Sequence, residues 1–242
     1  MLFRSLRTAH ERSSNKSIWR QHLIELVVRY TRSQLPEELF LTDSILNLLE
    51  LRLGLFSDTE QNLLKAKSAY GRYDYHTAFV YYLDFMQFVS GNLQNAEAAP
   101  ADVIALLSGV VGDEFALSGL YSGRTWEAYA AAERVRRYLE EVYATHNADS
   151  DETVLPLIRR SLFWMLETEG YLSRKLGRFS LARDLYRRAL EISPYEERQR
   201  IQWYIFDCTF RSNTAEAVAL LPEAAAEWND PGYFTDVVYN LI

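Results

Sequence analysis

The sequence predicts an all-α fold of stacked antiparallel helical hairpins, with about ten or eleven helices in 242 residues, on three observations. Apolar residues recur at three- and four-residue spacing along almost the whole chain, and period-two alternation is absent over any useful length, which is the pattern of helices. Residues 170–194, GYLSRKLGRFSLARDLYRRALEISP, supply small residues where two helices cross. Ala182 and Ala189 stand two turns apart with Tyr186 filling the space between them, Gly170 lies on the first helix, and Gly177 permits a tight turn. Pro194 ends the second helix, because it has no N–H to continue the ladder. The third observation is recurrence: setting Ala217 on Ala182 gives a period of 35 residues and brings Leu221 and Ala224 to the places of Tyr186 and Ala189.

Taken in order, a first helix is expected over 18–30, ended by the turn at Leu35-Pro36, and a second over 42–53. Ser57-Asp58-Thr59-Glu60 reads as a capping box, in which hydroxyl and carboxylate satisfy the free N–H groups of a helix start, so a third helix begins near Asp58. Gly71 and Asp74 separate it from a fourth over 75–89, and residues 91–100 form a linker of small and polar residues. A long hairpin over 101–117 and 125–144 has Gly119 and Gly123 in its turn, and THNADSDET, 145–153, is a polar loop. Residues 155–175 then pair with 179–192, Pro156 being tolerated because it sits in the first turn. Asn213-Thr214-Ala215-Glu216 offers a second capping box, Pro222 kinks or restarts the last helix of the unit, and Asp230-Pro231 closes it.

Weaker echoes of the hairpin lead from Gly71-Arg72-Tyr73 to Ala78 and Tyr82, and from Gly123-Arg124 to Ala128 and Ala132. Their Ala-to-Ala spacings are 50 and 54 residues, against roughly 34 for a regular array. The stretch 163–196 resembles the tetratricopeptide (TPR) repeat, and 198–231 resembles it less closely. The resemblance implies a right-handed superhelix of hairpins, an α-solenoid, in which 57–242 form an irregular array with two insertions and 1–56 a basic N-terminal arm and helical cap. It also implies protein–protein interaction. In TPR proteins the first helix of each pair faces the concave groove, a role that passes to Trp164, Glu167, Tyr171 and Arg174 in one unit and to Gln202, Phe206 and Thr209 in the next. One subclass grips a partner's C-terminal carboxylate with Lys, Arg and Asn; Glu167 and Tyr171 stand in their place, and Glu167 repels such a tail.

Charge and chemistry narrow the function further. Residues 1–34 hold seven basic against two acidic side chains in a chain of net charge −7, so a basic arm precedes an acidic body. An acidic body disfavours nucleic acid as a partner. The lone Cys208 excludes an internal disulfide and reads as a small buried apolar residue. His10, His22, His76 and His146 lack a second ligand at helical spacing, and the acidic loop at His146–Glu152 lacks the glycine and distant glutamate of a calcium site, so no metal or other cofactor is expected. Glu140-Glu141, Glu167 with Glu169, and Glu196-Glu197 point to different helix faces and read as surface charge, and no phosphate loop or nucleophile motif occurs.

The expectation is a non-catalytic scaffold that binds a peptide or protein partner through its groove, soluble and cytoplasmic, with no transmembrane segment and with export of a longer natural precursor left open. Two alternatives stay beside it. Ile201–Asp207 followed by Asp230–Phe234 loosely resembles the α-superhelical region of soluble lytic transglycosylases, whose catalytic Glu-Ser motif is absent, which leaves room for a catalytic domain beyond residue 242. The other is self-assembly, by docking of the basic arm on an acidic neighbour or pairing of the apolar end PGYFTDVVYNLI, which also fits a fragment of a longer protein.

Overall fold

A computed structural model describes residues 58–95, 112–149 and 155–219. Every regular element among them is helical, and no strand occurs among them. In order they are α1 (Asp58–Gly71), α2 (Tyr75–Asn95), α3 (Gly112–Tyr121), α4 (Thr125–Asp149), α5 (Leu155–Lys175), α6 (Phe179–Ile192), a 3₁₀ turn (Tyr195–Glu197) and α7 (Arg198–Ser212), after which 214–219 are again helical. The chain divides into two compact units, Met1–Phe85 and Met86–Ile242, with the division falling inside α2. The helices expected at 18–30 and 42–53, the Ser57–Glu60 capping side chains, Leu221, Pro222, Ala224 and Asp230-Pro231 lie outside the described residues, as do the basic arm and the apolar end.

One turn is used three times. Its left-handed residue is Tyr73 (φ 61°), Gly123 (φ 74°) or Gly177 (φ 75°). The next N–H reaches back to a carbonyl five residues earlier: Asp74 to Ala69 at 3.0 Å, Arg124 to Gly119 at 2.8 Å, Arg178 to Ser173 at 2.9 Å. These bonds satisfy carbonyls that a helix end leaves free. Four residues on, the N–H of Ala78, Ala128 or Ala182 opens the following helix, and Ala217 does the same from Asn213; all four alanines are fully buried. The echoes are therefore the same hairpin. Part of their irregular spacing comes from helix length: α2 and α4 are 21 and 25 residues long, whereas α6 has 14.

Several boundaries differ from expectation, each for a local reason. Gly91 does not end α2, because Val89 is buried beneath it and Ser90 Oγ and Asn92 Nδ2 donate back to the carbonyls of Gln87 (3.0 Å) and Phe88 (2.9 Å). Gly119 lies within α3, and the turn follows at Ser122-Gly123. The first five residues of the expected loop 145–153 continue α4, where Thr145 Oγ1 donates to Glu141 O at 2.8 Å. Gly71 belongs to α1, and a tyrosine takes the strained position after it. The capping pair at Asn213 and Glu216 does form: the Glu216 N–H donates to Asn213 Oδ1 at 3.3 Å. Asp74 caps α2 in the same way, accepting the Thr77 N–H at 3.1 Å; hydrogen bonding from the Thr77 hydroxyl first and this N–H second, with Arg72 and His76 nearby, holds its carboxyl below the ordinary range against desolvation.

In the second unit consecutive helices pack on one another, α3 on α4, α4 on α5, α5 on α6 and α6 on α7, and α3 also reaches α5. Phe115, Val135, Leu139, Ile158, Phe163, Leu185 and Ile201 lie buried at these contacts, each worth about 1.5–3 kcal/mol of transfer free energy. Helices α5 and α6 approach closely at Gly170, where an added Cβ would stand 2.9 Å from the Tyr186 ring. Tyr186 fills this crossing between the fully buried Ala182 and Ala189, with Pro194 half-buried just beyond the end of α6.

Ion pairs fix the register between helices. Arg136 pairs with Glu169, Glu167 with Arg200, Arg174 with Asp207 at 2.9 Å, and Arg183 with Glu216 at 3.4 Å, each 33 residues apart. Glu167 and Glu169 therefore do face different ways, one to α7 and one to α4, but neither is surface charge: they are 4% and 1% exposed. Removing one partner of such a pair leaves an uncompensated buried charge, at a cost of about 3–5 kcal/mol.

Candidate functional site: the face of α5 and α7

Residues three and four apart share a helix face, so Trp164, Glu167, Tyr171 and Arg174 form one stripe along α5. On α7 the stripe that meets it is Arg200, Tyr204, Asp207 and Arg211. Towards the start of α5 the Arg200 guanidinium donates to Glu167 and, at 2.7 and 3.0 Å, to Glu197. It also lies over the rings of Trp164 (6.0 Å) and Tyr204 (5.7 Å). Towards the end of α5 Arg174 binds Asp207, which also accepts from Arg211 Nε at 2.9 Å. Arg174 lies 5.2 Å from the Tyr204 ring centroid and 5.8 Å from that of Tyr171, and Lys175 lies 5.3 Å from Tyr171. Cation–π contacts of this kind contribute about 0.5–2 kcal/mol each, more when water is excluded.

The electrostatics differ at the two ends. Glu167 is raised to about 7, chiefly by burial; Arg200 opposes this, and Asp113 and Glu197 add to it. Asp113, in the first turn of α3, is also held above its ordinary value, by desolvation first and by Glu114 and Glu197, while Arg200 pulls it down. Two carboxylates thus bond one guanidinium, and Asp113 feels its charge without a bond. Burial works against the charge on Arg200, but its bonds to Glu167 and Glu197 and contact with Tyr204 keep it protonated. At the other end Arg174 and Arg211 both bind Asp207 and Lys175 lies over Tyr171, so the sign reverses along the face.

Beneath the face, Tyr186 is fully buried with its ring 5.0 Å from Tyr204, and its hydroxyl has no hydrogen-bond partner among the described residues. Burial raises it well above the ordinary phenol range. Cys208 is likewise buried and its thiol is pushed up to about 12, chiefly by desolvation. Among the described residues no group of three or more His, Cys, Asp or Glu side chains is disposed to hold a metal ion, and no helix is long and apolar enough to cross a membrane.

The structure brings Trp164, Glu167, Tyr171 and Arg174 together, although Glu167 is closed off by Arg200. Gln202 is half-buried, while Phe206 and Thr209 are buried, Thr209 donating its hydroxyl to the Ile205 carbonyl at 2.8 Å. Arg200, Tyr204 and Asp207 occupy the face instead. Carrying the 35-residue register of Ala182 and Ala217 back to the preceding helix reaches 202, 206 and 209, whereas the cross-helix partners run at 33. At about 100° per residue, a two-residue slip turns a side chain by roughly 200° to the opposite side of its helix. The signal that pairs α7 with α5 is charge complementarity at a fixed spacing, Glu167 with Arg200 and Arg174 with Asp207. The chain matches no protein-family model, and neither a curated protein nor a solved structure is significantly similar to it.

Proposed function

We propose that the chain is a non-catalytic, TPR-like helical-repeat scaffold that binds a peptide or protein partner along the face made by the first helices of successive hairpins, α3, α5 and α7. The observation that carries the reading is the stripe of Trp164, Tyr171 and Tyr204 interleaved with paired charges on α5 and α7. Recurrence of one turn and one buried alanine in three hairpins supports the repeat, and the Gly170–Tyr186 contact supports their close stacking as a right-handed superhelix. Rings held by cations on a rigid backbone lose little freedom when a partner arrives, which favours binding. The reversal of charge from Asp113 and Glu197 to Lys175 and Arg211 orients an extended segment along the face.

The test is affinity selection of the full chain against a displayed random-peptide library, followed by Tyr171→Ala/Tyr204→Ala. Selected peptides are expected to bind the double variant at least tenfold more weakly, because two half-buried rings are lost while helix content is kept. Peptides that bind the double variant as tightly as the unaltered chain would remove the face from the proposal.

A further inference from the structure

A cavity of about 630 Å³ opens at the head of α5, bounded by the first turns of that helix, the end of α6, the 3₁₀ turn and Tyr143 of α4. Leu155, Pro156, Trp164, Ile192 and Pro194 give it an apolar lining, and its volume is in the range of small-ligand sites. Arg159 and Arg160 stand on its wall. Elsewhere in this unit Arg136, Arg174, Arg183 and Arg200 are each met by a carboxylate 33 residues away. Arg159 belongs to the same series, but its counterpart is Ile192, so its Nε donates to that residue's backbone carbonyl at 3.2 Å and meets no carboxylate among the described residues. Arg160 is exposed, with neither a hydrogen bond nor an ion pair among the described residues. Of the two carboxylates in the lining, Glu197 is held by Arg200 and Glu196 is exposed. The cavity therefore combines an apolar floor with two guanidinium groups that lack carboxylate partners among the described residues, next to the positive end of a helix.

We propose that this cavity binds an organic anion with an apolar body, a carboxylate joined to an aromatic or branched aliphatic group. Arg160 and the terminal nitrogens of Arg159 hold the carboxylate, and Trp164 and the prolines cover the body. The site shares Trp164 and Glu197 with the α5–α7 stripe but places its two arginines outside it, so either assignment can fail alone. Such an anion arrives as a free small molecule or as neighbouring apolar and acidic side chains of a peptide.

Amide-resolved NMR of the full chain, titrated with phenylbutyrate, phenylbutyramide and the capped dipeptide acetyl-Phe-Glu-amide, tests it. Phenylbutyrate is expected to shift the amides of 155–164 and 192–197, with the neutral amide bound about tenfold more weakly for want of a charge-assisted bond. Arg160→Gln should weaken the acid by a similar factor, leave the amide unchanged and keep the melting temperature, since Arg160 has no partner to lose among the described residues. Binding of the dipeptide alone assigns the anion to a peptide, and binding of phenylbutyrate alone to a small molecule; either supports the site. The inference is overturned if neither acid shifts these amides, if acid and amide bind equally, or if Arg160→Gln binds the acid as before.

Discussion

Gly170→Ala isolates the contact on which the hairpin packing depends. A Cβ at this position would stand 2.9 Å from Tyr186 Cε1, 3.0 Å from Cζ and 3.2 Å from Cδ1. Carbon atoms rest about 3.5–4.0 Å apart, so the ring or the helix must yield by roughly half an ångström. Tyr186 has no room to do so, being fully buried with its ring against Tyr204. Against the clash stands the better helix propensity of alanine, about 1 kcal/mol. Overpacking costs about 1–3 kcal/mol, and an enclosed ring puts this site in the upper half, leaving a net loss of about 1–2 kcal/mol. Gly91→Ala is the control: it is also inside a helix, but nothing lies within 4 Å of its Cβ, and it should gain about 0.5–1 kcal/mol. Urea unfolding followed by far-ultraviolet circular dichroism measures both. Adding Tyr186→Leu should recover about 1 kcal/mol of the loss as a coupling energy between the two positions. A Gly170→Ala protein at least as stable as the unaltered chain would refute the reasoning.

Two further expectations concern charge and turn. The folded value of Glu167, about 7, lies above its ordinary 4.5, so folding favours the neutral acid; its contribution is whole below about 4.5 and is lost as pH rises to about 7. Glu167→Gln should flatten stability across that window, and Arg200→Met should cost more at about pH 8 than at about pH 5, approaching 3–5 kcal/mol; pH-dependent urea midpoints decide both. Gly177→Ala should lose about 1–2 kcal/mol in thermal melts through its left-handed φ of 75° alone, since nothing crowds its Cβ, and an unchanged melt would deny the turn that role.

The pair 155–175 and 179–192 was legible to its boundaries because punctuation and packing agree there: Gly177 at the turn, Ala182 and Ala189 at the crossing, and Pro194 beyond the end. Elsewhere glycine misled. Gly91 and Gly119 sit inside helices, where tertiary burial outweighs their cost, while Tyr73 takes a turn position that a sequence reader assigns to glycine. The candidate face was half legible. Trp164, Tyr171 and Arg174 follow from spacing within one helix, but Arg200, Tyr204 and Asp207 depend on how two helices lie together, and a two-residue error in that register exchanges the face for the core. The burial of Glu167 and Glu169 was hidden for the same reason, since their partners are 33 residues away in sequence.

Hydrogen–deuterium exchange of the full chain, with and without a peptide selected by affinity, tests the scaffold proposal most directly. Protection is expected to concentrate in 113–121, 164–174 and 200–211, with α4 and α6 unchanged. Protection centred on α4 and α6, with the face of α5 and α7 unaltered, would contradict the account.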